Sequence, residues 1–393
     1  MESISTKPGR ALGRTPTPTA SSPLLARALP LPFPPPSPSL RASVVVPARN
    51  EEEALPRLIG ALAGQLDLRG RPLDPGCYEV LLLLNNCTDE TAAVARALAQ
   101  SFPALALHAV EITLSAEEAH VGRARQVLFD AAYARLYRLG KTHGLILTTD
   151  ADTLPAPDWI AQTEAEIALG VAGVGGRVQL LPEERASLPP GVQRLFLLDI
   201  GYRRALEEMR HLYAPDPGDP FPRHHQHFCG SLAVQASAYG AAGGMPLVRT
   251  SEDVALYRAV LRAGGRFRHS ERVRCFTSAR MSGRATGGLA DAIAWWHEQV
   301  TGGAEVLVEG AIHAERRLAG LGWSRLTWPL PATHAWRDSP PEPPPPGQEA
   351  EIQVTLEALR VRNAYLRTLS LSERLTEALQ RFELEIDPGS TLL

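Results

Sequence analysis

The chain reads as an α/β protein built on a mostly parallel sheet with helices on both faces, followed by a helical C-terminal extension. Three observations predict this. Over residues 43–180, short apolar runs alternate with amphipathic stretches, the signature of a parallel sheet wound with helices. The apolar runs are continuous, as buried strands are. Polar residues gather just after the runs, at Ala48-Arg49-Asn50, Asn85-Asn86-Cys87-Thr88-Asp89 and Asp150-Ala151-Asp152. Open α/β sheets bind ligands at the carboxyl ends of their strands.

In chain order, Ser43–Pro47 is a strand ended by proline. Asn50 is expected to cap a helix whose first turn, Glu51-Glu52-Glu53, suits the positive end of the dipole. Leu55, Leu58, Ile59 and Leu62 give that helix one apolar face. Tyr78–Leu84 is the second strand, and Thr88–Thr91 opens a helix carrying Ala92, Val94, Ala95 and Leu98. Ala104–Val110 and Gly144–Thr149 are further strands, separated by a long helix over Val121–Leu139. A helix over Asp158–Leu169 and a strand over Ala172–Leu180 complete the alternation. Beyond that, Val192–Arg210 reads as a helix, Leu212–His227 as a loop, Gly230–Gln235 as a strand and Asp253–Ala263 as a helix.

The flanks differ in composition. Ten of the 34 prolines precede residue 40. That density removes backbone donors and core-forming side chains, so residues 1–40 are expected to be a disordered leader. Residues 41–285 are expected to form one main domain and 286–393 a helical extension, broken at the proline-rich stretch 339–346 and ending in a charged helix over residues 348–385. The net charge of −3 excludes a general nucleic-acid binder. No apolar run approaches the ~18 residues of a membrane span. Cys77, Cys87, Cys229 and Cys275 lack regular spacing, so free thiols and a cytoplasmic location are expected. Lysine occurs only at Lys7 and Lys141, which reads as compositional bias.

Several residues carry candidate chemistry. Asp150 and Asp152 end a strand, where hard cations such as Mg²⁺ share carboxylate oxygens with substrate phosphates; a turn or helix cap is the plainer use of the same residues. Asn85–Thr91 is either a helix start or a nucleoside pocket. Ser251-Glu252-Asp253 opens a helix, and Asp253 is either a helix-start acid or a general base. Arg274, Arg280 and Arg284 sit among glycines and suit a mobile phosphate-binding loop or a solvated one. Arg123 and Arg125 begin a helix against the dipole preference, which points to a nearby anion: a ligand or an ion-pair partner. His224, His225, His227 and Cys229 lack the spacing of a zinc module and are expected in a loop over the site.

Together these segments resemble family 2 glycosyltransferases of the GT-A fold over residues 42–285. The resemblance rests on Val44–Glu52, Asn86–Thr91, Thr149–Thr153 and Ser251–Asp253, in that order, with Gly243-Gly244 before the last. It implies a soluble, inverting enzyme of the hexosyltransferase type that moves one sugar from a nucleotide-diphosphate sugar to a small or lipid-linked acceptor hydroxyl, with Mg²⁺ or Mn²⁺ as cofactor. It further implies that Pro47, Arg49, Glu51, Asn85 and Asp89 hold the nucleoside, usually uridine. Asp150 and Arg125 would contact the donor, Asp152 would ligate the metal, Arg280 or Arg284 would meet the diphosphate, and Asp253 would be the catalytic base. Asn85 replaces the family's usual Asp, which leaves the donor base open. A processive synthase would add membrane helices and a Gln-x-x-Arg-Trp motif; neither is present, and only peripheral membrane contact stays open. Two alternatives remain. A sugar-phosphate nucleotidyltransferase would carry a glycine-rich loop where Ala48–Glu51 stands, and a non-catalytic sugar-nucleotide binder would not need Asp152 and Asp253.

Overall fold

The computed structural model describes residues 23–283 and 287–303, with residues 314, 317 and 318. A short helix α1 (Pro23–Arg27) precedes β1 (Ala42–Ala48), α2 (Leu55–Ala63), β2 (Tyr78–Asn85), α3 (Thr91–Ser101), β3 (Ala106–Ile112) and α4 (Val121–Arg138). Then come β4 (Leu145–Thr148), β5 (Thr153–Pro155), α5 (Trp159–Ala168), β6 (Gly173–Leu180), α6 (Pro182–Ser187) and α7 (Pro190–Tyr213). The chain continues through β7 (Leu232–Gln235), α8 (Ala236–Ala241), α9 (Glu252–Arg262), β8 (Phe267–Thr277) and α10 (Leu289–Thr301).

Among the described residues, eight strands make one sheet in the order β3-β2-β1-β4-β7-β6-β8-β5. β3, β2, β1 and β4 run parallel, while β7 pairs antiparallel with both β4 and β6. The expected α/β class, with a largely parallel sheet covered on both faces, therefore holds. The continuous apolar runs have a direct cause. Val44 and Val46 face a core with Leu58, Ile59, Leu62 and Trp159. Val45 faces a second core with Leu128, Phe129, Tyr239 and Leu256. A strand buried on both faces cannot alternate with polar residues.

From residue 23 onward the expected disordered leader is instead packed on the domain. Leu24 and Leu40 are buried in the second core, and Leu25, Leu31 and Phe33 pack against it. Two arginine–carboxylate pairs hold the segment. Arg27 donates from Nε and Nη2 to Asp130, each at 2.8 Å, and Asp130 also accepts from the Tyr239 hydroxyl at 2.6 Å. Arg135 pairs with buried Glu79 and donates from Nη1 to the Pro34 carbonyl at 2.7 Å. Proline here supplies an extended backbone that packs without a ladder. Residues 1–22 lie outside the described residues, as do the break at 339–346 and the helix at 348–385.

Two further differences concern the sheet. Asn50 does not cap α2: its φ is +56°, and α2 begins at Leu55 after a turn in which the Glu51 carbonyl accepts from Ala54 and Leu55. β8 is absent from the sequence reading, because its inward residues alternate with Arg268, Arg272 and Arg274 and form no apolar run. Arg274 is therefore a strand residue, not part of a loop. In the extension, α10 packs on α7 through Ile293 and through Trp296 against Phe196, ring centroids 6.0 Å apart. No helix among the described residues is long and apolar enough to cross a membrane.

The buried Asp130 carboxylate makes residues 23–40 a structural part of the domain. Arg27→Ala is expected to cost about 1–3 kcal/mol of stability, because it removes two charge-assisted bonds from a buried anion. Urea denaturation of the full chain measures it; an unchanged midpoint would mean that the segment adds no stability.

Candidate functional site

The parallel strands β1, β2 and β4 end on one edge of the sheet, and the loops that follow are joined side by side. Asn50 receives a bond from the Thr88 amide at 2.8 Å and donates to the Thr88 hydroxyl at 3.1 Å. The Glu51 amide donates to the Thr91 hydroxyl at 2.8 Å. The Glu90 amide donates to the Glu52 carboxylate at 2.7 Å. Asn86 bridges to Leu114 through both ends of its amide. Asn50 and Asn86 both have positive φ, a conformation asparagine tolerates better than most residues. Pro47 is buried within β1, Asn85 is buried at the end of β2, and Arg49 is exposed. Asp89 accepts from the Thr91 amide and hydroxyl. Burial would push its carboxyl up, but these bonds hold it below the usual range.

The Asp150–Asp152 turn is approached by two arginines from opposite sides. Arg125, in the first turn of α4, pairs with both Asp150 and Glu252. Its side chain is only 6% exposed, and that of Glu252 only 5%. The two arginines at this helix start thus answer to carboxylates: Arg125 to those two, and Arg123 to Glu118 at 3.2 Å. The approach of α9 depends on Gly122, where a Cβ would collide with the Val248 carbonyl oxygen. It also uses Gln126, whose amide donates to the Met245 carbonyl at 3.0 Å. Ser251 then turns into α9 with φ of +59°, a conformation that costs an L-residue about 1–2 kcal/mol. Burial and the neighbouring Glu252 push the Asp253 carboxyl upward.

Arg280 comes from the far edge of the sheet. β5 pairs antiparallel with β8, Thr153 opposite Thr277. That register, continued outward, sets Arg280 beside the Asp150–Asp152 turn. Its guanidinium lies 2.9 Å from Asp152 and donates to both oxygens of Glu51, at 3.0 and 3.1 Å. Burial and Asp150 push the Asp152 carboxyl up to about 6, against the pull of Arg280.

The fold therefore gathers Glu51, Arg125, Asp150, Asp152, Asp253 and Arg280 around one turn. Pro47, Asn85 and Asp89 lie along the same sheet edge, Arg49 faces solvent, and Arg284 lies outside the described residues. Glu252, assigned no role in the sequence reading, is the buried partner of Arg125. Its signal was the pair of misplaced arginines at 123 and 125.

The histidine segment is a buried hydrogen-bonded network. Asp219 accepts from His269 Nδ1 at 2.7 Å and pairs with Arg223 and Arg268. His224 Nε2 meets the Ser270 carbonyl at 3.0 Å, and the Gln226 amide donates to His224 Nδ1 at 3.1 Å. His227 stacks on Tyr257 at 4.2 Å. No group of three or more His, Cys, Asp or Glu among the described residues could by itself hold a metal ion.

Burial lowers His269 to about 4 and His224 and His227 to about 3, and holds His225 well below its ordinary value. Each binds its proton more weakly in the folded chain than unfolded. Their contribution is therefore complete above about pH 6.5 and is lost as the pH falls toward 4. Asp152 and Asp253, with raised carboxyls, titrate in the opposite sense. The loss of stability between pH 7 and 4.5 should accordingly be smaller in His227→Gln than in wild type. Parallel curves in urea titrations would remove the assignment. For the arginine bridge, Arg125→Met should cost about 3 kcal/mol or more, by leaving Glu252 buried without its cation. Arg125→Met/Glu252→Gln should recover part of that loss; simple additivity would count against the bridge.

A family model, "Glycosyl transferase family 2", matches residues 43–215. No curated protein matches the chain. Among solved structures, the mannosyltransferase PcManGT from Pyrobaculum calidifontis, in complex with GDP-Man and Mn²⁺, is 18% identical, covers 92% of this chain and 93% of its own, with a TM-score of 0.42. Residues 1–349 of TarS from S. aureus, in complex with UDP-GlcNAc, are 13% identical, covering 73% and 72%, with a TM-score of 0.44. The glucosyl-3-phosphoglycerate synthase of M. tuberculosis is 16% identical, covering 72% and 81%, with a TM-score of 0.37. The family match places a glycosyl transferase family 2 domain over residues 43–215, the stretch that carries β1 to β6 and the Asp150–Asp152 turn.

Proposed function

We propose that this chain is a glycosyltransferase that moves one sugar from a nucleotide-diphosphate sugar to an acceptor hydroxyl, with inversion, using a divalent cation and Asp253 as base. The observation that carries the reading is the Arg125 bridge. It ties the Asp150–Asp152 turn to the start of α9, so a carboxylate for the donor side and a carboxylate for the acceptor side belong to one site. Residues 41–285 would be the catalytic domain, collared by residues 23–40.

The donor set suits a hard cation. Asp152 offers carboxylate oxygen, crowded by Asp150 and burial, in a setting that favours a positive partner. Since the described residues offer no closed set of three ligands, the remaining coordination would come from diphosphate oxygens and water. Such an ion would neutralise charge developing on the leaving diphosphate. Arg280 would add a guanidinium to the same phosphates. The joined loops at Pro47–Glu51 and Asn85–Asp89 would hold the nucleoside, and Asp150, itself held by Arg125, would face the donor sugar. Asp253 would take the acceptor proton as the hydroxyl attacks the anomeric carbon opposite the leaving group. A carboxyl raised by burial is the stronger base for that step.

The family resemblance points to uridine as the donor base, and Asn85 in place of the usual Asp leaves it open; a panel of UDP- and GDP-sugars in thermal unfolding would decide it, since a ligand of the folded state raises Tm. The acceptor would be a small or lipid-linked alcohol. The four free cysteines suit a cytoplasmic setting.

Nucleotide release from the stabilising donor in Mn²⁺ tests the roles. Asp152→Asn should lose at least about a hundredfold in kcat/KM. Asp253→Asn should keep donor protection in thermal unfolding yet lose transfer. Full turnover by Asp152→Asn would sink the metal assignment, and full transfer by Asp253→Asn would sink the base.

A further inference from the structure

The two arginines at the Asp150–Asp152 turn are held very differently. Arg125 is 6% exposed and bound by two carboxylates, Asp150 and Glu252. Arg280 is 28% exposed and lies on the strand edge beyond β8. Its backbone is pinned: the Ala279 amide donates to Glu184 at 2.7 Å, and the Arg280 amide to the Ser278 hydroxyl at 3.2 Å. Its guanidinium makes a forked bond to Glu51 and a single contact with Asp152 Oδ2, at 2.9 Å. The fork is the stronger hold, since two parallel charge-assisted bonds fix a guanidinium better than one. The contact with Asp152 is the one that can open while the residue stays in place.

We infer that Arg280 is a resident counter-ion for Asp152, which a divalent cation must displace, so that Glu51 acts as the pivot on which the guanidinium turns from Asp152 toward the incoming diphosphate. The inference rests on the assignment of Asp152 as metal ligand. Its logic is electrostatic. Among the described residues, the carboxylates of Glu51, Asp150, Asp152, Glu252 and Asp253 gather near the guanidinium groups of Arg125 and Arg280, and a guanidinium on Asp152 Oδ2 excludes a cation from the same oxygen. A metal arriving alone would have to break the Arg280 contact without replacement. A metal arriving with a diphosphate brings a new anion for the released guanidinium. Metal and nucleotide would thus enter together, and the carboxylates would stay neutralised between turnovers.

The test uses Mn²⁺ alone, titrated calorimetrically into the full chain. Arg280→Met should bind Mn²⁺ about tenfold tighter than wild type, because the competing charge is gone. Arg280→Gln is a second neutral side chain, should methionine impair folding, and Arg280→Lys, which keeps the charge, should stay close to wild type. Asp152→Asn should abolish the gain in the Arg280→Met background. Equal or weaker Mn²⁺ binding by both neutral variants would overturn the inference, as would a gain that survives Asp152→Asn. Failure of the metal assignment would register separately, as full nucleotide release by Asp152→Asn.

Discussion

The site depends on a buried guanidinium. Arg125 leaves the first turn of α4, where the helix dipole disfavours it, and enters a space closed by Asp150 and Glu252. An unpaired charge there would be costly, so buried Arg125 and Glu252 require each other, while Asp150 reaches them from the half-exposed turn. The triad fixes two independent segments against one another: the turn after β4 and the start of α9. The left-handed Ser251 and the close approach at Gly122 are the local costs of that arrangement. Both lie beside the carboxylates whose placement they secure, where stored backbone strain is commonly found.

The same chemistry recurs through the domain. Arg27 with Asp130, Arg135 with Glu79, Arg223 with Glu207 and Asp219, and Arg280 with Glu51 are buried or half-buried pairs. Most are forked or bridge two acceptors, a geometry a planar guanidinium can satisfy and an ammonium cannot. The scarcity of lysine reads in the sequence as compositional bias. In the folded chain, arginine is also the residue these pairs need. The pairs differ in what they do: those of Arg27 and Arg135 dock the proline-rich segment, those of Arg223 stabilise the histidine network, and those of Arg125 and Arg280 shape the site.

The fold class was legible because Ser43–Pro47, Tyr78–Leu84 and Gly144–Thr149 are unbroken apolar runs, and such runs arise when a strand is covered on both faces. The candidate site was legible for a related reason. In a parallel sheet every strand delivers its following loop to the same edge, so the polar residues after three strands had to meet. β8 escaped notice because Arg268, Arg272 and Arg274 interrupt its buried residues, so that it forms no apolar run although it contributes to both cores. Docking of residues 23–40 escaped because composition reports the lack of helix and ladder, and says nothing of an extended segment held by Arg27 and Arg135.

The sequence by itself determined which residues carry charge at the strand ends, the order of the motifs and the covering of the central strands, because these follow from local periodicity. Only the tertiary structure decided which charges neutralise which. Arg125 meets Glu252 across 127 residues of chain and Arg280 meets Glu51 across 229. Pairings at such separations are set by strand register and helix packing, quantities that no local pattern encodes.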